Sequence, residues 1–124
     1  MRATRLTARV VVPAGDGRYL AVLQGGRRSS VAFPGGGVEP NERFEDAARR
    51  ELFEEAGLRA DRLVPVCVVE EPGRTTVVFY ASSVRGSAHA SAEGPLQIAA
   101  RHDFTGGDYG EFSSAVFEAL KKKR

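Results

Sequence analysis

The sequence predicts an α+β fold in which a mixed β-sheet is sandwiched between helices (α/β/α). Three observations predict it: short β-rich segments bounded by Gly and Pro, a long helical segment in the middle of the chain, and an amphipathic segment near its end. Helices on both faces would bury both apolar sides of the sheet. Because 124 residues are typical of one domain, we expect a single domain over residues 1–124.

The β-rich segments are short and are enriched in Val, Thr and aromatic residues, several of them in alternation. Turns that contain glycine separate some of them, as at residues 14–17 and 70–74. The glycines at 35–37 and the polar residues 82–91 predict loops. The predicted strands are residues 6–13, 19–23, 31–33, 63–69, 75–81 and 96–100.

Two segments have the pattern of helices. Residues 43–56 form the central helix, with Asn41 placed to cap its start and Gly57 placed to end it. Residues 112–120 form the closing helix, because their apolar side chains recur at helical spacing. Those apolar side chains are Phe112, Val116, Phe117 and Leu120.

The composition excludes several classes of protein. No apolar run reaches the roughly 20 residues of a membrane span, and the first residues lack the apolar core of a signal peptide. Cys67 is the single cysteine, so an intrachain disulfide is impossible, and we interpret it as a structural strand residue. His89 and His102 have no partner cysteines and are interpreted as surface histidines. We therefore expect a cytoplasmic protein with no membrane partner.

The net charge of +2 depends on the end of the chain. Residues 121–124 are all basic and supply four of the 18 Lys and Arg residues, which leaves 14 against 16 acidic residues in the rest. A basic tail can bind nucleic acid weakly through phosphates. A solvated, frayed terminus is the simpler interpretation, and we expect no specific nucleic-acid partner.

Three carboxylates near the end of the central helix indicate chemistry. Glu51, Glu54 and Glu55 fall within roughly 100° of one helix face, where they repel one another. They also lie in the last turns, where the helix dipole disfavours negative charge. A hard divalent cation would relieve both effects, because Mg²⁺ and Mn²⁺ prefer carboxylate oxygens. The alternative is a solvated acidic helix end.

The residues before the helix favour the metal site over that alternative. Gly35, Gly36 and Gly37 allow close approach of a ligand to the backbone. A glycine carbonyl can also join a metal shell, and Glu39 and Glu42 add carboxylates nearby.

The spacing of these residues resembles the Nudix box of the Nudix hydrolases, Gly-x5-Glu-x7-Arg-Glu-U-x-Glu-Glu-x-Gly-U with U apolar. Gly36 and Glu42 stand at the first two fixed positions, and residues 50–58 read Arg-Glu-Leu-Phe-Glu-Glu-Ala-Gly-Leu. Every fixed position over residues 36–58 is filled. The resemblance implies the Nudix fold, with a mixed sheet between helices.

The resemblance also implies an activity, the hydrolysis of a nucleoside diphosphate linked to a moiety X, with Mg²⁺ or Mn²⁺ as cofactor. The implied metal ligands are Glu51, Glu54, Glu55 and the carbonyl of Gly35. Arg50 would orient a box carboxylate, and Glu42 would bind metal through water or brace the loop. For Arg50 and Glu42 the structural alternative is a salt bridge between loop and helix.

The resemblance leaves two locations for the general base, the box and a later segment. In many relatives it lies in the box, here Glu51 or Glu54, and in others it is a Glu on a later loop, where this chain has Glu93. The alternative for Glu93 is a solvated loop carboxylate. The family usually carries an aromatic residue, often Trp, on the strand after that Glu, whereas this chain has Ile98 and no Trp.

The substrate-binding residues are expected beside the box. The backbone at Gly36 and Gly37 would approach the substrate. Three arginines and two aromatic residues are further candidates for contact with the substrate. For each of them the alternative is structural, an exposed loop cation or a core residue. The candidates are Arg27, Arg28, Arg74, Phe79 and Tyr80. Phe79 and Tyr80 point to opposite faces of one strand, so that one is core and the other is free to line a cleft.

Three substrate hypotheses and one hypothesis of another class follow from the resemblance. The first substrate is a nucleoside triphosphate, canonical or oxidised, which would be hydrolysed to the monophosphate and pyrophosphate. ADP-ribose or a nucleotide sugar is second, and a dinucleoside polyphosphate is third. The hypothesis of another class is a catalytically silent Nudix domain that binds a nucleotide for regulation. The chain would act as a monomer or a homodimer.

Overall fold

The computed structural model describes residues 3–88 and 95–123, which form ten strands, three α-helices and one 3₁₀ helix (Gln24–Gly26). The strands are β1 (Arg5–Val11), β2 (Pro13–Gly15), β3 (Arg18–Leu23), β4 (Val31–Ala32), β5 (Gly35–Gly37), β6 (Leu58–Ala60), β7 (Val64–Glu71), β8 (Arg74–Tyr80), β9 (Val84–Gly86) and β10 (Leu96–Ala100). The helices are α1 (Phe44–Ala56), α2 (Arg101–Thr105) and α3 (Gly110–Lys122).

The largest sheet is mixed and has the strand order β5-β1-β8-β7. Strand β1 pairs in parallel with β8, whereas β1–β5 and β7–β8 are antiparallel. A second sheet has the order β10-β3-β2, with β4 also paired to β3. A short third sheet joins β6 to β9.

Strand β1 separates two apolar cores because successive side chains point to opposite faces. Val10 is fully buried with Leu52 on the α1 side, and Val11 is fully buried with Phe104 and Phe117 on the other side. Helix α1 thus covers one face, while α2 and α3 cover the opposite one. The predicted α+β class, with a mixed sheet between helices, is confirmed.

The ends of α1 differ from the prediction at one of two points. Gly57 ends the helix as predicted, with φ of 72° and its N–H donating to the Phe53 carbonyl at 2.9 Å. The predicted cap at Asn41 is wrong. The Arg43 N–H instead donates to the Asp46 carboxylate at 3.1 Å. Asn41 has a φ of 66° in the preceding turn, a left-handed conformation that Asn tolerates.

Several structural segments were not predicted from sequence, the short strand β6 among them. The glycines predicted as a loop form β5, because β1 supplies their hydrogen-bond partners. Strand β9 lies in the polar segment predicted as a loop, since it pairs with β6. Helix α2 follows β10 directly, and α3 continues through Lys122 into the basic segment predicted to be frayed.

No helix within residues 3–88 and 95–123 is long and apolar enough to cross a membrane.

Candidate active site

The glycine strand β5 lies directly against the box carboxylates of α1. The Gly35 N–H donates to the Glu55 carboxylate at 2.8 Å. At Gly36, an added Cβ would overlap the carboxylate of Glu51. The structure therefore brings the predicted residues Gly35, Gly36, Glu51 and Glu55 together, and it explains why position 36 has no side chain.

Arg50 joins the loop before α1 to the box carboxylates. Its guanidinium donates to Glu42 twice, at 2.8 and 3.1 Å, and to the Gly37 carbonyl at 2.8 Å. It also donates to Glu51 at 3.1 Å and to Glu54 at 3.3 Å. Arg50 therefore makes the contacts that both alternatives require. Its bonds to Glu51 and Glu54 can orient those carboxylates, and its bonds to the loop tie the loop to the helix.

These ion pairs shift the ionisation of their members in opposite directions. The hydrogen bond from Arg50 is the main cause that lowers the pKa of Glu42 below its ordinary value. The same contact raises the pKa of Arg50. Both charges are therefore stabilised across the neutral pH range.

The environment of Glu55 disfavours the charged carboxylate, in contrast to that of Glu42. Its pKa is raised to about 7, mainly by burial and in part by the nearby charge of Glu51, while the hydrogen bond from the Gly35 N–H opposes the shift. A half-buried carboxylate beside another carboxylate favours the protonated form. A divalent cation at this point would reverse that preference.

A model of the NUDIX domain matches residues 3–106 of the chain. The chain belongs to the NUDIX domain family. The prediction of a Nudix hydrolase is thereby confirmed.

Several solved structures share the fold of this Nudix hydrolase. The E. coli ORF135 protein is 21% identical, with 99% of this chain and 94% of that chain covered and a TM-score of 0.73. A MutT NUDIX hydrolase from Burkholderia pseudomallei is 24% identical, with 82% and 87% covered and a TM-score of 0.67. An ADP compounds hydrolase is 16% identical, with 98% and 73% covered and a TM-score of 0.72. At these identities the likeness shows the fold, which is the predicted one.

The donor chemistry of the Nudix box fits a hard divalent cation, although the side chains are not gathered around one point. Within residues 3–88 and 95–123, no three His, Cys, Asp or Glu side chains are arranged to hold a metal ion. Glu51 and Glu54 contact Arg50, and Glu55 accepts from Gly35. Binding of Mg²⁺ or Mn²⁺ thus requires these oxygens to exchange their present partners for the ion.

The other candidate residues are dispersed. Arg27 pairs with Asp108 at 3.4 Å, and Arg28 lines an open cleft together with Ile98. Phe79 is 5% exposed in the core on the α1 side, so it cannot line a cleft. Tyr80 is half-buried on the opposite face, as the alternation predicted.

Two predicted residues, Glu93 and His89, lie outside the described part of the chain. His102 is exposed on α2, which agrees with the prediction of a surface histidine. Cys67 is a free, half-buried residue of β7, consistent with a structural role.

Sequence reasoning missed Arg9 as a residue of the site. Its Nη1 donates to the Phe33 carbonyl at 2.9 Å and to the Gly35 carbonyl at 3.3 Å. Burial is the main cause that lowers its pKa, and the charge of Arg74 lowers it further. The signal was present, because a period of two along β1 places Arg5, Thr7 and Arg9 on one face.

Replacing Gly36 with alanine is expected to reduce kcat by about 10- to 100-fold, because the new Cβ displaces the Glu51 carboxylate. Steady-state kinetics would measure the change. Gly37→Ala is the matched comparison, since its Cβ would meet only a side-chain nitrogen of Arg5 at 3.9 Å. Equal kcat values for the two variants would contradict the importance of the Glu51 position.

Glu55→Gln is expected to stabilise the metal-free protein at pH 8 but not at pH 5. Because its pKa is raised to about 7, the wild-type carboxyl contributes stability that is lost as pH rises through that value. The gain should be about 1–2 kcal/mol, reduced from the full shift because the group is partly solvated. Thermal unfolding in EDTA at both pH values tests this. An equal effect at pH 5 and pH 8 would show that ionisation of Glu55 is not the cause.

Proposed function

We propose that this Nudix hydrolase hydrolyses a pyrophosphate bond in a nucleoside diphosphate linked to X, with Mg²⁺ as cofactor and Mn²⁺ as a possible substitute. The observation that supports this is the convergence of β5 on the box carboxylates, through the Gly35–Glu55 hydrogen bond and the close packing of Gly36 on Glu51. This arrangement places oxygen donors beside backbone that an anionic ligand can approach.

The proposed metal ligands are Glu51, Glu54, Glu55 and the carbonyl of Gly35. A cation bound there would neutralise charge on the diphosphate and polarise the attacked phosphorus. A carboxylate oxygen of Glu51 or Glu54 would accept the proton of the attacking water. Glu93 is the alternative acceptor.

Arg50 is proposed to act through the carboxylates. Its bonds to Glu42 and the Gly37 carbonyl fix the guanidinium against the loop. Its bonds to Glu51 and Glu54 then orient those side chains. Glu42 is a supporting residue in this scheme, and its 14% exposed side chain is consistent with it.

A nucleoside triphosphate, canonical or oxidised, is the first substrate candidate, with monophosphate and pyrophosphate as products. Its terminal phosphate would add an anionic group beside Gly35, where Arg9 lies. ADP-ribose or a nucleotide sugar is the second candidate, in keeping with the structural neighbour described as an ADP compounds hydrolase. We further propose one domain that acts on small-molecule nucleotides in the cytoplasm, as a monomer or homodimer.

The test is phosphate or pyrophosphate release from a nucleotide panel with Mg²⁺ and with Mn²⁺. The panel contains canonical and oxidised nucleoside triphosphates, ADP-ribose, nucleotide sugars, NADH and dinucleoside polyphosphates. Turnover of one class that is lost with EDTA supports the proposal and names X. Nucleotide binding without turnover under either metal would support a silent regulatory domain instead.

A further inference from the structure

Basic side chains from three elements meet where α3 ends. Arg18 begins β3, and its partner on β10, Ala100, directly precedes Arg101 at the start of α2. The guanidinium of Arg101 lies over the Phe117 ring of α3, 5.0 Å from the ring centroid, and Lys121 follows Phe117 by one helical turn. We give the name basic surface to four exposed side chains, those of Arg18, Arg101, Lys121 and Lys123.

The basic surface carries more positive charge than its own ion pairs neutralise. Among the described residues its one ion pair joins Lys121 to Glu118 at 3.8 Å, and both of these side chains are more than half exposed. The side chains of Arg18 and Lys123 make no hydrogen bond or ion pair within the described part of the chain. Lysines at the end of a helix stabilise it through the helix dipole, but that effect does not account for the arginines that β3 and α2 supply. The surface is therefore complementary to a polyanion.

A pocket of about 390 Å³ opens beside Lys123, between α3, the start of β7 and the end of β8. We call it the tyrosine pocket, because Tyr19 and Tyr80 line it together with Leu120 and Lys123. Both tyrosines are half-buried, and neither hydroxyl has a hydrogen bond among the described residues. The volume falls within the roughly 300–1,000 Å³ of pockets that bind small organic ligands, so the pocket has room for a nucleobase.

The tyrosine pocket and the basic surface adjoin each other. Lys123 belongs to both, and Tyr19 directly follows Arg18 in β3. The ring of Tyr19 packs against that of Phe117 with centroids 5.2 Å apart, and Phe117 is the ring under Arg101. Aromatic rings that stack with bases, next to cations that pair with phosphates, are the combination by which proteins bind single-stranded nucleic acid. A lipid surface or an acidic peptide would use the cations but has no base to stack on the tyrosines.

We propose that the basic surface and the tyrosine pocket together bind single-stranded nucleic acid without reading its sequence. Backbone phosphates would pair with the four basic side chains, and one base would stack on Tyr19 or Tyr80 in the pocket. The surface lies at the end of α3, which covers the face of the sheet opposite to α1, so a bound strand would leave the box carboxylates free. This binding is a further property of the chain and does not depend on the proposed hydrolase function.

Fluorescence anisotropy of an end-labelled oligothymidylate without a terminal phosphate tests the proposal. A length of about 20 nucleotides exceeds the roughly 4–16 that a single-strand site covers. Measurements in EDTA at several salt concentrations keep hydrolysis out of the result. We expect a Kd of roughly 1–100 μM near physiological salt, and a logarithm of affinity that falls with that of salt with a slope of about −3, for four phosphate contacts. The duplex with oligoadenylate should bind less tightly, because its paired bases cannot enter the tyrosine pocket.

Variants of exposed residues locate the binding on the basic surface. Arg18→Gln with Lys123→Gln breaks no side-chain hydrogen bond or ion pair of the described residues, and it should weaken binding about tenfold or more. Arg18→Gln alone should make the salt slope shallower by about 0.7, as for the loss of one phosphate contact. The matched control is Arg43→Gln at the start of α1, whose side chain is 84% exposed and which should bind like the wild type.

The Tyr80→Leu variant tests the contribution of base stacking. We expect binding of the single strand to weaken about tenfold while the salt slope stays unchanged, because a stacking ring is lost but no cation. Thermal unfolding checks that the variant is folded. If it is not, the comparison of single strand with duplex tests the tyrosine pocket in its place.

Three results would overturn the proposal. They are no binding of the oligothymidylate even at low salt, binding that the Arg18 and Lys123 substitutions leave unchanged, and a duplex that binds as tightly as the single strand. Binding of vesicles of phosphatidylserine and phosphatidylcholine without binding of the oligothymidylate would identify an anionic membrane as the partner instead. Loss of the proposed hydrolase function would leave all of these measurements unaffected, so the two proposals fail separately.

Discussion

Glu54→Gln is expected to lower kcat by at least about 100-fold while the protein stays folded, as for removal of a group that holds charge in a transition state. Glu54 is the most exposed of Glu51, Glu54 and Glu55, with 55% of its side chain accessible. Among the described residues, its one hydrogen bond is to Arg50 at 3.3 Å, so its loss does little to the fold. The role proposed for it is therefore chemical.

The stability of the Glu54→Gln variant should be unchanged or slightly raised, because one charge is removed from a repulsive cluster at a helix C-terminus. Thermal unfolding and steady-state kinetics with Mg²⁺ and Mn²⁺ measure the two effects. Glu118→Gln is the matched control, an exposed glutamate on α3 whose only ion pair within the described part of the chain is with Lys121 at 3.8 Å. A kcat equal to that of the wild type in the Glu54→Gln variant would show that Glu54 is not a metal ligand.

The elements whose patterns depend on local sequence could be predicted. The start of β1, the hairpin of β7 and β8 and the glycine that ends α1 all have signals within a few residues. The box carboxylates could be placed on one face of α1 because helical periodicity fixes their relative angles. In the structure, Glu55 accepts a hydrogen bond from Gly35 and Glu51 packs against Gly36.

The elements that depend on a distant partner could not be predicted. A run of three glycines has no strand propensity, and β5 forms because β1 provides its hydrogen bonds. Arg9 occupies a strand position that is usually apolar, and its function as a donor to the Phe33 and Gly35 carbonyls depends on how β4 and β5 lie against β1. Sequence alternation gives the face of Arg9 but not its acceptors.

Arg50→Gln is expected to lower both stability and kcat, in contrast to Glu54→Gln. The substitution removes two bonds to Glu42 and one to the Gly37 carbonyl, and it leaves Glu42 and Glu51, with side chains 14% and 18% exposed, without their cation. We expect a measurable loss of stability, smaller than for a fully buried pair because the site is partly open to solvent. We expect kcat to fall by about 100-fold as the carboxylates lose their orientation.

The pH dependence of stability distinguishes loss of the Arg50–Glu42 ion pair from a general loss of packing. Because Arg50 lowers the pKa of Glu42 below its ordinary 4.5, their interaction contributes stability above that value and loses it as pH falls through the lowered pKa. Unfolding curves of wild type and Arg50→Gln should therefore converge in acid. Arg49→Gln, which loses an ion pair with Glu45 on the same helix and a bond to the Ala60 carbonyl of β6, should cost stability but leave kcat unchanged. Equal losses of kcat in the two arginine variants would mean that Arg50 stabilises the helix without orienting the box carboxylates.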